Sequence, residues 1–473
     1  MAVSAALVMV TVGPAGTAQV AEVPPGPCQR PEDRLPGVPQ NVELVTVTEA
    51  SFEATWVTCD GAGRPLPSDT TITYGTTPNP PAWDVVRTEE GVAFHHAVID
   101  GLEEGTTYFY QVSSGGLPGR YDRYHPGSFT TLTLPGGKLL FSFAAIADVH
   151  IGETVSGQAT SSPTEFPPAY RSELPYPEIM ARAAVAEVRR RGVSFSVLPA
   201  DATSHGHRHD FERLRAIVSG LGRRYVIARG SHDRPNQYEA ARQECPPDGD
   251  CFRAVFFRGL PATDEPRHIF YARVLRGFTF IALDSANLAT GTGELSDDQL
   301  SWLDRRLNRA DERGEPAVIF FHHPVSEWST TLAVPPLIFG VSQEDAQRFL
   351  QTIADHDVRL VINAHTHRNW ISYSPWTGRM PVVEVGPSKE YPGGYSIFRV
   401  YEEGFVRAFH RLRCGFCREW VETTRWEFLG LYPHYTTGSL RDRNFVHRWA
   451  GPDVPGIPSL PFNPWPPLVP MEA

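Results

Sequence analysis

The chain has 473 residues, 41% hydrophobic and 21% charged, an ordinary balance for a globular protein with room for a large core and two or three domains. Its formal net charge of −11 argues against a nucleic-acid partner, because neutralising phosphates takes a basic face. Small anionic substrates stay open, since bound cations reverse a local field.

Residues 1–21 read as a secretory signal peptide without the usual positive start. Ala5–Val12 is its short apolar core, and Gly16, Thr17 and Ala18 offer small residues for cleavage. The run is too short to span a bilayer and no other stretch approaches that length, so no transmembrane segment is expected. A secreted or extracytoplasmic protein follows. Residues 22–38 are a proline-rich linker. Residues 39–133 alternate apolar and polar positions over Val42–Thr48, Ser51–Val57, Thr70–Tyr74, His96–Ile99, Thr107–Val112 and Gly127–Thr131, the spacing of an all-β sandwich.

From 139 to 412, strands alternate with helices, which predicts an α/β domain. Helices are expected at Glu178–Arg189, Phe211–Val218, Asp297–Leu307 with Ser296 as its cap, and Asp345–Ile353. Residues 152–175 are rich in Ser, Thr, Pro and Gly and read as a loop over the site. Residues 413–473 are a C-terminal extension, irregular from about 433 and without recognisable chemistry.

Six cysteines, an even count, fit disulfides in an exported chain. Cys245 and Cys251 would close a short loop, and Cys28 with Cys59 is left by elimination. Cys414-Gly-Phe-Cys417 is open to three readings: a tight disulfide, a redox pair or half a zinc site, the last weakened by a missing second half.

Five apolar, strand-like runs end in aspartate or histidine. Phe141–Ala147 leads into Asp148 and His150, Ser194–Pro199 into Asp201, and Tyr225–Arg229 into His232 and Asp233. Val318–Phe321 leads into His322 and His323, and Leu360–Asn363 into His365 and His367. Open α/β sheets place sites beyond the carboxyl ends of their strands, and hard or borderline cations take carboxylate and imidazole without thiolate. Asp148 and His150 are two apart, as are His365 and His367, so in an extended segment each pair faces one way.

In order and placement these motifs resemble the calcineurin-like metallophosphoesterase superfamily. Leu102–Val112, with Trp56 as an early core tryptophan, resembles a fibronectin type III-like domain such as precedes purple acid phosphatases. The resemblance implies a four-layer α/β/β/α sandwich after an all-β sandwich. It implies two metal ions, divalent or trivalent: Mn, Fe, Zn or Co. Asp148, His150 and His367 would hold one, His322 and His365 the second, and Asp201 would bridge them. His232, paired with Asp233, would protonate the leaving oxygen. The implied reaction is hydrolysis of a small phosphomonoester or phosphodiester by a metal-bound hydroxide. The rival is a catalytically silent member acting as an extracellular binding or scaffold module.

Four positions depart from the family pattern. Ala200 and Ala364 replace glycines beside ligands, which strains the backbone if φ is positive there. Ser204 stands where Asn, Asp or, in purple acid phosphatases, Tyr is usual. Ser231 replaces an asparagine that would give its carbonyl oxygen to the second metal; a shorter hydroxyl predicts a weaker second position. His150 stands where purple acid phosphatases carry glycine, which argues against a purple iron site. His205, His207 and His209 read as a solvated turn lacking a carboxylate partner, and His95-His96 as a strand pair. His323 should point away from the metals by strand alternation. Glu327 and Trp328 either line the cleft or pack at its rim.

Overall fold

The computed structural model describes residues 28, 35–78, 83–121, 127–157, 174–222, 224–235, 244–245, 249–257, 269–326, 340–373, 380–427 and 435–450, with the short strands Thr164–Glu165, Ala333–Val334 and Leu337–Ile338. The signal peptide, most of the linker and of the 152–175 loop, Glu327, Trp328 and residues 451–473 lie outside them.

The N-terminal part is two packed sheets. One has the order Gln40–Val47, Ser51–Val57, Phe94–Asp100. The other runs Asp84–Val92, Ser68–Gly75, Thr107–Ser114, Leu117–Pro118, with Ser128–Thr130 also on Thr107–Ser114. Phe52, Trp56, Ile72, Tyr110 and Phe129 fill the core between them. Asp84–Val92 escapes the sequence reading because it is an exposed edge strand with no apolar face.

The larger part is built on two six-stranded sheets. The first has the order Tyr225–Ile227, Phe195–Leu198, Leu139–Ala145, Gly394–Tyr401, Gly404–Arg411, Asn444–Arg448. The second has the order Tyr271–Leu275, Phe278–Ala282, Ala317–Phe320, Val358–Asn363, Pro381–Glu384, Trp370–Tyr373. Strands covered on both faces read as continuous apolar runs, yet each still divides its side chains by alternation. Phe141, Phe143 and Ala145 enter the core between the sheets, while Ala144 and Ile146 face the helices Tyr176–Arg190 and Arg208–Val218. In the second sheet Phe280, Val318, Phe320, Leu360 and Ile362 point inward, while Ile281, Ile319 and Val361 meet the helices Asp297–Asp311 and Gln343–Ile353. The result is the expected α/β/β/α stack. Ser296 caps its helix by accepting from Gln299 N at 3.2 Å.

The C-terminal stretch differs from the irregular extension expected. Past 433, where irregular chain was expected, Asn444–Arg448 pairs antiparallel with Gly404–Arg411 as the edge of the first sheet; the helix Gly415–Thr424 precedes it. Asn444–Arg448 is too short, and its neighbours too polar, to announce a strand. Three disulfides join Cys28 to Cys59, Cys245 to Cys251, and Cys414 to Cys417, so the first of the three readings of the last pair holds. No helix among the described residues is long and apolar enough to cross a membrane.

Buried charge fastens the β sandwich to the larger part. Glu43, fully buried on Gln40–Val47, meets Arg411 at 2.6 Å and Arg425 at 3.1 Å and accepts the Tyr391 hydroxyl. Glu53 meets His410 at 2.8 Å, His96 at 3.0 Å and Arg413 at 3.0 Å. His96 therefore belongs to this network rather than to a plain strand pair.

Candidate metal centre

All five motifs lie just past the carboxyl ends of parallel strands, three from the first sheet and two from the second. The two sheets bring them to one cavity. His322 Nε2 is 3.1 Å and His150 Nε2 3.5 Å from Asp201 Oδ2. His365 Nδ1 is 3.0 Å from His322 Nε2, and His367 Nε2 is 3.7 Å from Asp148 Oδ1. Three sets have ligand atoms within 4.8 Å of one another: Asp148, His150 and His367; His150, Asp201 and His232; and Asp148, Asp201 and His322, the last two sharing Asp201.

Asp148 and His150 converge for a different reason than strand alternation, while His365 and His367 fall in different donor groups. Their strands have ended, and Asp148, His150, Ala200, Asp201, His365 and His367 have φ of 47°, 50°, 80°, 47°, 69° and 52°. Such left-handed conformations cost roughly 1–3 kcal/mol each in non-glycine residues and persist only where surroundings enforce them. Here the first two loops run side by side: Asp148 N donates to Ala200 O at 3.0 Å, and Val149 N and His150 N donate to Asp201 O at 2.9 and 3.0 Å. Ala200, at φ 80°, is strained as expected of an alanine in place of glycine. Ala364 is not: its φ is ordinary and its methyl group packs into the core between the sheets. Gly230 is needed for space, because a Cβ there would overlap the Asp201 backbone nitrogen and carboxylate.

The donors fit a cation. Asp148 Oδ2 and both ring nitrogens of His150 make no hydrogen bond, although both residues are buried. Burying polar atoms unsatisfied is costly unless something else binds them. Burial holds the His150 imidazole well below its usual range, helped by Lys389, and lowers His365 to about 3. Both are thus neutral, the form that ligates metal. Burial would raise Asp201, but the His322 and His232 charges hold it well below the usual carboxylate range. His322 resists the lowering effect of burial and is raised to about 9 by Asp201. A cation bound there would replace that proton.

Ser231 faces Asp201, its Oγ 3.4 Å from each carboxylate oxygen. A side chain one amide longer would reach further into the second position. Ser231→Asn is expected to raise both occupancy of the weaker metal position and turnover; titration of metal content alongside rate checks this, and no change in either would refute it.

Three expectations are corrected. His232 is not paired with Asp233: its Nδ1 lies 2.8 Å from the Ser204 carbonyl oxygen, and its backbone N donates to Asp201 Oδ1 at 2.9 Å. Asp233 instead accepts from Ala202 N, Thr203 N, Thr203 Oγ1 and Gly230 N at 2.9, 2.9, 3.0 and 3.1 Å, pinning the loop after Asp201 to its own. A short helical turn over Ser231–Asp233 turns the neighbouring side chains apart. His323 does not point away: its strand ends at Phe320, so alternation lapses, and its ring centroid is 4.5 Å from that of His365. His322, His323 and His365 place ligand atoms within 4.8 Å of one another. His207 does have a carboxylate partner, Glu244, at 3.1 Å.

Glu390 is invisible to motif reading. It accepts from His367 Nδ1 at 2.6 Å and is held by Ser156 Oγ at 2.6 Å and Lys389 Nζ at 2.9 Å. This turns His367 Nε2 toward Asp148, as a carboxylate behind a ligating histidine does. The only sequence signal was Lys389-Glu390, a charged pair within a Gly/Pro-rich turn after an apolar strand. Glu390→Gln is expected to cost ~10–100-fold in metal affinity or activity, read by metal titration with the fold monitored by circular dichroism.

Residues 141–369 match the family model described as calcineurin-like phosphoesterase. A probable cyclic nucleotide phosphodiesterase from Synechococcus sp. is 29% identical over 283 residues, 58% of this chain and 92% of the relative. Another, from Rhodococcus erythropolis, is 28% identical over 231 residues, 45% of this chain and 68% of the relative. The solved structure of a dimetal phosphatase from Danio rerio aligns with a TM-score of 0.44 at 16% identity, over 58% of this chain and 98% of that one. With the family match spanning all five strand-end motifs, residues 141–369 are a calcineurin-like phosphoesterase domain.

Proposed function

We propose that this chain is a metal-dependent hydrolase of small phosphoesters, with phosphodiesters preferred over phosphomonoesters. The observation that carries this is one buried carboxylate, Asp201, whose oxygens lie within reach of both His150, with its unsatisfied ring nitrogens, and His322. The names of the relatives favour the diester. Asp148, His150 and His367 would hold one cation, His322 and His365 the other, with Asp201 between and Ser231 a weak further donor. Two such ions supply Lewis-acid polarisation of the phosphoryl group and water activated at neutral pH. The donor set suits Mn, Fe, Zn or Co.

His232 does the proton work. With Nδ1–H donated to Ser204 O, Nε2 is left to face the leaving oxygen and protonate it. Asp233 acts through the backbone by fixing the loops that present Asp201 and His232. The rival reading, a catalytically silent binding module, draws no support from relatives named as phosphodiesterases. Three disulfides fit an oxidising, extracytoplasmic compartment.

The test is turnover of bis-p-nitrophenyl phosphate and p-nitrophenyl phosphate by metal-stripped protein reloaded with Mn, Fe, Zn or Co in turn. Metal-dependent hydrolysis favouring the diester is expected. No hydrolysis of either ester with any ion would reject the reading.

A further inference from the structure

A second group of donors lies outside the catalytic cavity, at the start of the helix Arg208–Val218. His207 Nδ1 is 3.1 Å from Glu244 Oε1, and the His207 and His209 rings stack 5.4 Å apart. The ligand atoms of His207, His209 and Glu244 all fall within 4.8 Å of one another. Ligands at about 2.0 Å from a tetrahedral zinc-class ion stand about 3.3 Å apart, so the His207–Glu244 spacing is already that of a coordination edge.

The surroundings are built rather than incidental. Glu244 precedes Cys245, which is tied to Cys251. The helix Cys251–Phe256 then packs on Arg208–Val218 through Phe211 and Phe252, ring centroids 5.7 Å apart. Glu244 Oε2 also accepts from Arg208 N at 2.8 Å, fixing the carboxylate. Behind His209 lies Asp210, 2% exposed. Its Oδ1 is 3.2 Å from His209 Nε2 and makes no hydrogen bond. The contact is a close approach rather than a hydrogen bond, and a small turn of the exposed His209 ring would make it the donation found behind ligating histidines, with the other nitrogen facing outward. Gly152, at φ 96°, leaves the space for this carboxylate, because a Cβ there would overlap Asp210.

We propose that His207, His209 and Glu244 bind one borderline divalent cation of the zinc class, with Asp210 as the positioning residue for His209. The positive end of the helix opposes a cation, and the Glu244 and Asp210 carboxylates offset it. Three protein ligands leave a position for water. The ion would join the disulfide loop to the segment that carries Ser204, three residues before His207, whose carbonyl holds the His232 ring.

The test is zinc content after equilibrium dialysis of the full chain against buffered Zn(II), wild type beside His209→Ala/Glu244→Gln. Neither residue touches the catalytic cavity, so the difference between the two proteins reports this site whatever the catalytic centre holds. One equivalent fewer in the variant, with phosphoester turnover retained, is expected. Equal zinc content in the two overturns the proposal. If the double variant does not fold, His209→Gln alone carries the same comparison, and unchanged zinc content there is equally contrary. Asp210→Asn, which leaves every ligand in place, is expected to weaken this site by ~10–100-fold; unchanged affinity removes the positioning role.

Discussion

His232→Ala is expected to lower kcat by ~10²–10⁴-fold on an ester with a strongly basic leaving group, with metal content unchanged. The imidazole is held through Nδ1 on Ser204 O, and the backbone N is anchored on Asp201 Oδ1. On the proposed mechanism the other ring nitrogen delivers a proton to the departing oxygen, although the ring also lies within reach of His150 and Asp201. The size of the loss should follow the leaving group. An alkyl alkoxide needs the proton and should show the full effect, while p-nitrophenolate departs as a weak base and should show little. Rates on a methyl or nucleoside diester beside a p-nitrophenyl diester read this directly. An equal loss on both, or a fall in bound metal, would assign His232 to metal holding or substrate binding instead.

Glu43→Ala is expected to destabilise the chain by about 3–5 kcal/mol, because breaking a buried ion pair leaves two buried guanidiniums sharing one remaining carboxylate, Glu422, at 3.9 and 3.5 Å. Glu43 has no exposed surface and faces Arg411 and Arg425. Both guanidiniums are themselves buried, and burial, which works to deprotonate them, is outweighed by Glu43. Denaturant unfolding of wild type and variant measures the difference. Glu43→Gln should recover part of it by keeping an acceptor for the Tyr391 hydroxyl. A loss below about 1 kcal/mol, the size typical of an exposed pair, would mean the sandwich is not fastened through this residue.

The catalytic half of the molecule was legible because its strands are short apolar runs that stop at ionisable residues. Phe141–Ala147 before Asp148, and Val318–Phe321 before His322, carry both the sheet and the candidate ligands in one signal. What the sequence hid was geometry beyond the strand ends. Alternation placed Asp148 with His150 correctly but for the wrong reason, and it misplaced His323, since neither lies in extended backbone. The His232–Asp233 adjacency in sequence looked like a dyad, whereas the turn sends one side chain to Ser204 and the other to backbone amides. Glu390 and Glu244 were hidden because each acts across a fold contact, on His367 and His207 respectively. Asn444–Arg448 was hidden because an edge strand borrows its stability from its neighbour, Gly404–Arg411.

The central claim is that Asp201 bridges two cations. The most direct measurement is anomalous scattering at the manganese edge from crystals of the full chain soaked in Mn(II). The account predicts two peaks roughly 3.5–4 Å apart on either side of Asp201. The peak toward Ser231 should be the weaker. No peak within bonding distance of Asp201, with manganese present elsewhere in the crystal, would contradict it.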